Sequence, residues 1–236
     1  VSIAIAGATG SGKTADIGYI LSSVAPEKRI VTIEDTRELS LAKYDENGIM
    51  INDVIHLLTK EAPNPVTMLD LLKLSLRPEL LVPAEMRGAE ALTVQEAGRT
   101  GHTIVSTLHA NSARSAYDRI LTMCLEAGTS LSEERLLRNI VEAFPVMVFK
   151  RQLPDKSRKY MEVFEATGVQ NGEVTGSTLY RYAVDHYEHD KSGRIAKVAG
   201  THQRLGNISP ALAEKLLIGG VPQKEIRRFA EGGPAA

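Results

Sequence analysis

Residues 7–14 read Gly7-Ala8-Thr9-Gly10-Ser11-Gly12-Lys13-Thr14 and fit the phosphate-binding pattern G-x-x-x-x-G-K-[ST] at every fixed position. The apolar run 1–6 before them predicts a buried strand, and the helical spacing of apolar residues across 17–24 predicts a helix after them. Strand, glycine-rich loop and helix therefore follow one another in the order that a phosphate site needs. An ordinary turn without a ligand is the alternative, and the flanking elements make it the weaker one.

The residue types of this stretch suit a phosphate ligand. Gly7, Gly10 and Gly12 have no Cβ, so the backbone can adopt positive φ and turn its N–H groups toward an anion at a helix N-terminus. Lys13 would reach the β- and γ-phosphates as a point charge, and the Thr14 hydroxyl would be a ligand for Mg²⁺. We therefore expect the whole loop to bind a nucleotide together with Mg²⁺.

The composition is that of an ordinary globular protein. The 236 residues include 43% hydrophobic and 24% charged residues, and the formal net charge is −1. That charge gives no global attraction to nucleic acid, which we expect not to be a direct ligand. Basic residues are crowded locally at 150–151 and 156–159.

The single cysteine, Cys124, excludes an internal disulfide and favours a reducing compartment. It lies in an apolar run, where a buried structural thiol is the expected state. The sequence contains no apolar run of membrane-spanning length and no signal segment. Because Val1 already belongs to the first predicted strand, we expect an upstream region to be missing from this chain.

Polar residues stand at the ends of several predicted strands. Glu34 and Asp35 follow the apolar run 29–33, Glu85 follows the run 80–84, and His109 ends the next strand. A strand–helix–strand start with a phosphate loop predicts a doubly wound parallel sheet whose ligands lie at the carboxyl ends of the strands. Each residue alone is as well explained by a solvated loop or a structural histidine. Their convergence on the phosphate loop favours a functional site.

The remaining segments give a coarse element order. We predict a long excursion with a small hairpin over 40–65, a main sheet that ends near 149, and later strands at 159–166 and 173–183. The predicted helices cover 67 to about 77, 89–99, 111–126, a segment from about 130, a segment from Ser209-Pro210, and 222–230. Pro83 removes a ladder donor just before Glu85, so either that strand stops early or the sheet is locally irregular.

Four boxes taken together resemble the secretion-ATPase superfamily, which serves type II secretion, type IV and Tad/Flp pili, and conjugation. They are similar to its Walker A, Asp box, atypical Walker B and His box, respectively GATGSGKT, TIEDTREL, LLVPAEMRGAEA and TGHTIVSTLHANSARSAYDRI. They span residues 1 to about 125 in the expected order. The later segment EATGVQNGEVTGSTLYRY looks most like the Tad-type branch.

The resemblance implies an α/β fold: a RecA-like P-loop NTPase core with a mostly parallel sheet over 1–150, and a C-terminal β-hairpin and helical appendage over 151–236. It implies that Glu85 is the catalytic base, that Glu34 positions the water or metal, and that His109 senses the γ-phosphate. A sensor or interface role is also implied for His102, and for Arg87 and Arg114. A surface ion pair for Arg87 and a solvated helix charge for Arg114 are the competing interpretations.

The resemblance further implies an ATPase that uses ATP and Mg²⁺ and works as a homo-hexamer in the cytoplasm. It would be peripheral to the cytoplasmic membrane through an inner-membrane platform protein, to which hydrolysis would pass motion. The family's N-terminal domain, with arginines that complete the site in trans, is absent from these residues. Two departures from the family pattern, a short run at Ser75-Leu76-Arg77-Pro78 and Pro83-Ala84 before Glu85, leave a second hypothesis open: a nucleotide-gated assembly scaffold with little hydrolysis.

Overall fold

A computed structural model describes residues 1–74 and 76–232 of the chain. It contains nine strands and seven helices within those residues. In chain order they are β1 (Ile3–Gly7), α1 (Lys13–Ser22), β2 (Ile30–Glu34), β3 (Val54–Leu58), α2 (Met68–Leu72), β4 (Leu80–Pro83), α3 (Glu90–Arg99), β5 (Thr103–Leu108), α4 (Ala113–Glu126), α5 (Glu133–Ala143), β6 (Val146–Gln152), β7 (Arg158–Gln170), β8 (Glu173–His189), β9 (Ile195–Arg204), α6 (Pro210–Ile218) and α7 (Gln223–Ala230).

All nine strands form one sheet in the order β3-β2-β4-β5-β1-β6-β7-β8-β9. Pairing is parallel from β3 to β6 and antiparallel from β6 to β9. The predicted α/β class with a mostly parallel sheet is therefore confirmed. The strand β1, which leads into the phosphate loop, lies between β5 and β6 and is buried on both faces.

The core occupies both faces of the parallel part of the sheet. Along β1, Ala4 and Ala6 pack in the cluster that contains α4 and α5, whereas Ile5 packs in the cluster that contains α1. Successive strand residues point to opposite faces, so this alternation covers the sheet with helices on both sides. Tyr117 is fully buried in the first cluster and donates to the Phe144 carbonyl at 2.8 Å.

Helix starts follow the capping chemistry that the sequence carries. Ser132 caps α5 by accepting from the Arg135 N–H, and Ser209 caps α6 ahead of Pro210 in the first turn.

The small hairpin expected within residues 40–65 is present, because Tyr44 pairs antiparallel with Met50. No helix among the described residues is long and apolar enough to cross a membrane.

Two predictions about the segment 40–77 are wrong. The helix expected to run to about residue 77 ends at Leu72, where the N–H groups of Lys73 and Leu74 bond three residues back, to Asp70 and Leu71, and close the last turn. The left-handed φ of 50° at Arg77, ahead of Pro78, excludes helical backbone there. The strand β3 was not predicted within the excursion. Its run Val54–Leu58 is short and lacks alternation, and it becomes a strand by pairing with β2. Ser75 lies outside the described residues.

The C-terminal strands are longer than the sequence indicates. Strands β7 and β8 extend to 170 and 189, and β9, which was not predicted, adds a further antiparallel strand. The proposed division between residues 150 and 151 falls within β6 and stays a prediction. Residues 233–236 of the predicted appendage lie outside the described part of the chain.

Candidate functional site

The phosphate loop joins β1 to α1 with the backbone that its glycines permit. Gly10 and Gly12 have φ of 77° and 86°, which side chains rarely tolerate. Gly7 is needed for a different reason, because a Cβ there would lie 2.3 Å from the Lys150 carbonyl oxygen. The N-cap of α1 is Gly12 and no side chain caps it, so the first-turn N–H groups stay available to an anion.

Lys13 and Ser11 have polar groups that are only partly satisfied by the protein. The Lys13 ammonium donates to the carbonyls of Gly7 and Ala8 at 2.9 and 3.2 Å, so it folds back over the loop. Burial lowers the pKa of Lys13, and the nearby Glu85 charge opposes that shift. The Ser11 hydroxyl is buried and has no hydrogen-bond partner within the described residues. Both groups fit a site built for a phosphate chain.

Glu85 stands where the sheet is locally irregular. Leu81 of β4 pairs with Ile104, 23 positions later, but Glu85 pairs with Thr107, only 22 positions later. One extra residue is therefore accommodated between these pairs, around Pro83, which cannot donate to the ladder. The sequence left two alternatives, an early end of the strand or a locally irregular sheet. Both features are present, because β4 ends at Pro83 and pairing resumes with a shifted register at Glu85.

A charged cluster surrounds the Glu85 carboxylate. Its Oε2 accepts from Arg87 at 2.7 Å, whereas its buried Oε1 lies 2.7 Å from His109 Nε2 without forming a hydrogen bond within the described residues. Arg87 also donates to Asp35 at 2.7 Å, so one guanidinium joins the ends of β2 and β4. The bond to Glu85 raises the pKa of Arg87. The Glu85 side chain is 20% exposed, whereas that of Arg87 is 63% exposed, so the acid lies at the inner end of the cluster.

Glu34 is buried and held by the loop that follows it. Its Oε1 accepts from the backbone N–H groups of Glu38 and Leu39, both at 3.0 Å. Its Oε2 accepts from the Thr32 hydroxyl at 3.3 Å, and the same hydroxyl lies 2.9 Å from His56 Nδ1. The position of this carboxylate is therefore fixed by backbone and side chains together.

His56 was missed by the sequence analysis, because it lies in the strand that was not predicted. Its side chain is 11% exposed, lies 3.8 Å from Glu34, and has a buried Nε2 without a partner in the described part of the chain. Burial lowers the pKa of His56, with a contribution from the Arg37 charge, while Glu34 raises it. A neutral imidazole beside Glu34 is the favoured state.

Two predicted residues lie outside this group. His102 precedes β5, at the opposite end of that strand from His109, and its Nδ1 lies 3.3 Å from the Ala97 carbonyl oxygen. Arg114 donates to the Val174 carbonyl and stacks on the Phe164 ring at 4.4 Å, so it joins α4 to the C-terminal strands. Within one chain neither residue faces the phosphate loop, and an interface role for them stays a prediction.

Two basic residues that the sequence analysis did not assign contact the phosphate loop. Lys150 of β6 forms a buried ion pair with Asp16 of α1, with both oxygens at 2.6 Å, and lies 3.4 Å from the Gly12 carbonyl oxygen. Arg158 of β7 donates from Nε to the Gly10 carbonyl at 2.8 Å. The crowding of basic residues at 150–159 was the available signal, but only the sheet order shows that they lie beside β1.

A cavity of about 560 Å³, a volume typical of small-ligand sites, lies over the phosphate loop and is also lined by Arg87 and Arg158. It brings together the loop, Glu34, Glu85 and His109. No group of three or more His, Cys, Asp or Glu side chains arranged for a metal occurs in residues 1–74 and 76–232. Thr14 is the loop residue expected to bind a magnesium ion, together with oxygens of the ligand itself. The half-buried Thr14 hydroxyl, which has no protein hydrogen bond within those ranges, fits that arrangement.

Comparison with known proteins shows the family to which the chain belongs. A family model described as "Type II/IV secretion system protein" matches residues 1–202. The conjugal transfer protein TrbB of Rhizobium radiobacter is 31% identical over 193 residues, covering 79% of this chain and 52% of TrbB. The type IV secretion system protein PtlH of Bordetella pertussis is 33% identical over 179 residues, covering 71% of this chain and 51% of PtlH. The chain spans about half the length of these relatives.

Solved structures give the same result for the fold. The VirB11 ATPase of the Brucella suis type IV secretion system, crystallised with sulphate, is 27% identical with a TM-score of 0.60, covering 70% of this chain and 49% of VirB11. The Legionella pneumophila ATPase DotB is 24% identical with a TM-score of 0.50, covering 66% of this chain and 42% of DotB. These similarities confirm the predicted RecA-like core.

Proposed function

This chain belongs to the type II/IV secretion system protein family, and on that footing we propose that it is the ATP-binding and ATP-hydrolysing motor part of a secretion, pilus-assembly or conjugation machine. The observation that carries the proposal is the shared cavity, in which a glycine-rich loop with a buried lysine faces the Glu85 carboxylate just beyond the end of β4, two strands from β1. Phosphoryl transfer needs these two parts, a cradle for the phosphates and a residue that orients water.

Each side chain of the cavity has a role that follows from its position. The loop N–H groups and Lys13 bind the β- and γ-phosphates, and Thr14 is the protein ligand of Mg²⁺. The metal, when bound, neutralises charge that develops on the phosphate oxygens. Glu85 takes the proton of the attacking water, and the fixed carboxylate of Glu34 positions that water or the metal's hydration shell.

Glu85 can act as a base only when one of its oxygens faces the attacking water. In this structure Oε2 accepts a hydrogen bond from Arg87 at 2.7 Å, while Oε1 makes no hydrogen bond within the described residues and lies 2.7 Å from His109 Nε2. A phosphate chain in the cavity offers His109 and Arg87 a competing anion, since both side chains are about half exposed or more. We propose that nucleotide binding draws at least one of them from Glu85 and so frees the base.

The quaternary role is also part of the proposal. A homo-hexamer would place the cavity at a boundary between subunits, and hydrolysis would move subunits against an inner-membrane platform protein from the cytoplasmic side. The relatives are about twice as long as this chain, and a segment equivalent to their unmatched half would complete the site from a neighbouring subunit. Arg87 and Arg114, whose side chains lie at the surface, are candidates for the subunit contact.

The test is Glu85→Gln in the complete protein, because Gln keeps the shape and loses the base. We expect ATP binding within about threefold of wild type and steady-state hydrolysis lowered by a factor of about 10²–10⁴, the range of general-base catalysis. Glu188→Gln is the matched control, since Glu188 pairs with the exposed His186 and Lys197 of β8 and β9. Normal hydrolysis by the Glu85→Gln protein would refute the assigned base.

The nucleotide-gated scaffold is the second candidate. It is favoured by the ion pair between Arg87 and Glu85 and by the irregular sheet around Pro83, which together suit a carboxylate that does not act as a base. A complete protein that binds ATP and assembles, yet hydrolyses ATP no faster than its Glu85→Gln variant, would support it. Sustained turnover that depends on Glu85 would eliminate it.

A further inference from the structure

The antiparallel hairpin of β6 and β7 brings a second layer of positive charge to the phosphate loop. Gly7, the last residue of β1, is in register with Lys150 of β6. Arg158, the first residue of β7, pairs with Gln152 at the end of β6. The hairpin therefore continues past the end of β1 and lies beside the loop that follows it.

Arg158 crosses the loop at its two left-handed glycines. Its Nε donates to the Gly10 carbonyl at 2.8 Å, and its Cδ lies 3.1 Å from the point where a Cβ on Gly12 would stand. The buried Lys150–Asp16 pair holds the neighbouring strand against α1, with the Lys150 Nζ 2.6 Å from the Asp16 carboxylate. The guanidinium is thus hydrogen-bonded to the loop through one nitrogen, and the Lys150–Asp16 ion pair fixes the adjacent strand β6 against α1.

The other two nitrogens of this guanidinium remain available. Across the described ranges, Nε is the only Arg158 nitrogen that donates a hydrogen bond, and no carboxylate pairs with the side chain. Arg158 lines the same cavity as Lys13 and Thr14. An arginine fork is suited to phosphate oxygens because it offers parallel N–H donors in a fixed plane.

We propose that Arg158 is a phosphate-contacting residue, supplied in cis by the β6–β7 hairpin, which binds the phosphate chain with its terminal nitrogens while Nε stays on the Gly10 carbonyl. The inference rests on the proposed function, since it assumes that the loop binds a nucleotide. It assigns the C-terminal strands a direct part in nucleotide binding. A purely structural Arg158 would fix the loop through Nε and touch no ligand.

Two variants separate these roles because of their atom positions. In Arg158→Gln the amide nitrogen takes the place of Nε, so the donor to the Gly10 carbonyl is kept and the charged fork is lost. In Arg158→Lys a carbon replaces Nε while the charge remains near the fork. Arg151→Gln is the matched control, because Arg151 is exposed in the same hairpin.

The experiment is calorimetric titration of the full chain with ATP and Mg²⁺ for wild type and the three variants, with thermal unfolding to verify folding. We expect Arg158→Gln to bind about tenfold or more weakly, as for loss of a charge-assisted hydrogen bond. Arg158→Lys should recover part of that loss, and Arg151→Gln should match wild type.

Arg158→Gln that is folded and binds as tightly as wild type would overturn the inference and leave Arg158 as a loop support. Absence of ATP binding by the wild-type chain would instead refute the proposed function itself, so the two failures are distinguishable.

Discussion

Replacing Lys150 by Met should destabilise the core beneath the phosphate loop. The Lys150 and Asp16 side chains are only 9% and 12% exposed, and the ammonium lies 2.6 Å from the carboxylate. Met keeps the apolar side chain as far as Cε and lacks the ammonium, so the main effect is a buried carboxylate without its charged partner. Loss of one member of a buried ion pair costs about 3–5 kcal/mol, and the slight exposure of this pair places it near the lower limit, about 3 kcal/mol.

The assay is thermal and urea unfolding followed by far-UV circular dichroism, since the chain has no tryptophan. For a domain of this size, a loss of about 3 kcal/mol lowers the Tm by about 6–12 °C. The double variant Lys150→Met with Asp16→Leu should recover most of the loss, because replacing both partners with apolar side chains removes the unpaired charge. Lys197→Met, which breaks the exposed pair with Glu188, serves as the control and should change the Tm little.

A Tm change for Lys150→Met as small as that of the control would refute the reasoning. So would a double variant that is as unstable as the sum of the two single ones, because the charges would then be shown not to act as a pair.

Two further predictions concern buried titratable groups. Burial lowers the pKa of His56 below its usual 6.5, so the folded chain holds this imidazole neutral where the unfolded chain would protonate it; its contribution to stability is complete above about pH 6.5 and is lost as the pH falls. His56→Gln should therefore show a smaller fall in Tm between pH 7 and pH 5 than wild type, and an equal fall would contradict this. Burial raises the pKa of the fully buried Cys124 to about 12, so a thiol reagent at pH 8 should label the native chain far more slowly than the urea-unfolded chain. Similar labelling rates for the two states would contradict the burial of this thiol.

The parts of the site that lie in continuous stretches could be predicted from the sequence. The loop at 7–14 carries its own glycines, its lysine and the flanking strand and helix, so local chemistry was sufficient. Glu34, Glu85 and His109 were also grouped correctly, because strands of a parallel sheet place their carboxyl ends at one edge.

The parts that depend on pairing between distant strands could not be predicted. The strand that carries His56 is short and becomes a strand only by pairing with β2. The contacts of Lys150 and Arg158 with the loop require β6 to lie next to β1, which no local pattern specifies. The shift of register near Pro83 is another case. The proline predicted a disturbance of the strand at this position, but only the pairing with β5 shows that it is one extra residue before Glu85.

The central claim is that residues 7–14 bind the phosphates of a nucleotide. It is tested most directly by calorimetric titration of the chain with ATP and Mg²⁺, comparing wild type with Lys13→Ala. The account predicts saturable binding by wild type at one site per chain and a loss of at least about tenfold in Lys13→Ala, which removes a charged donor to the phosphates. Equal binding by the two proteins, or no binding by a folded wild-type chain, would contradict it.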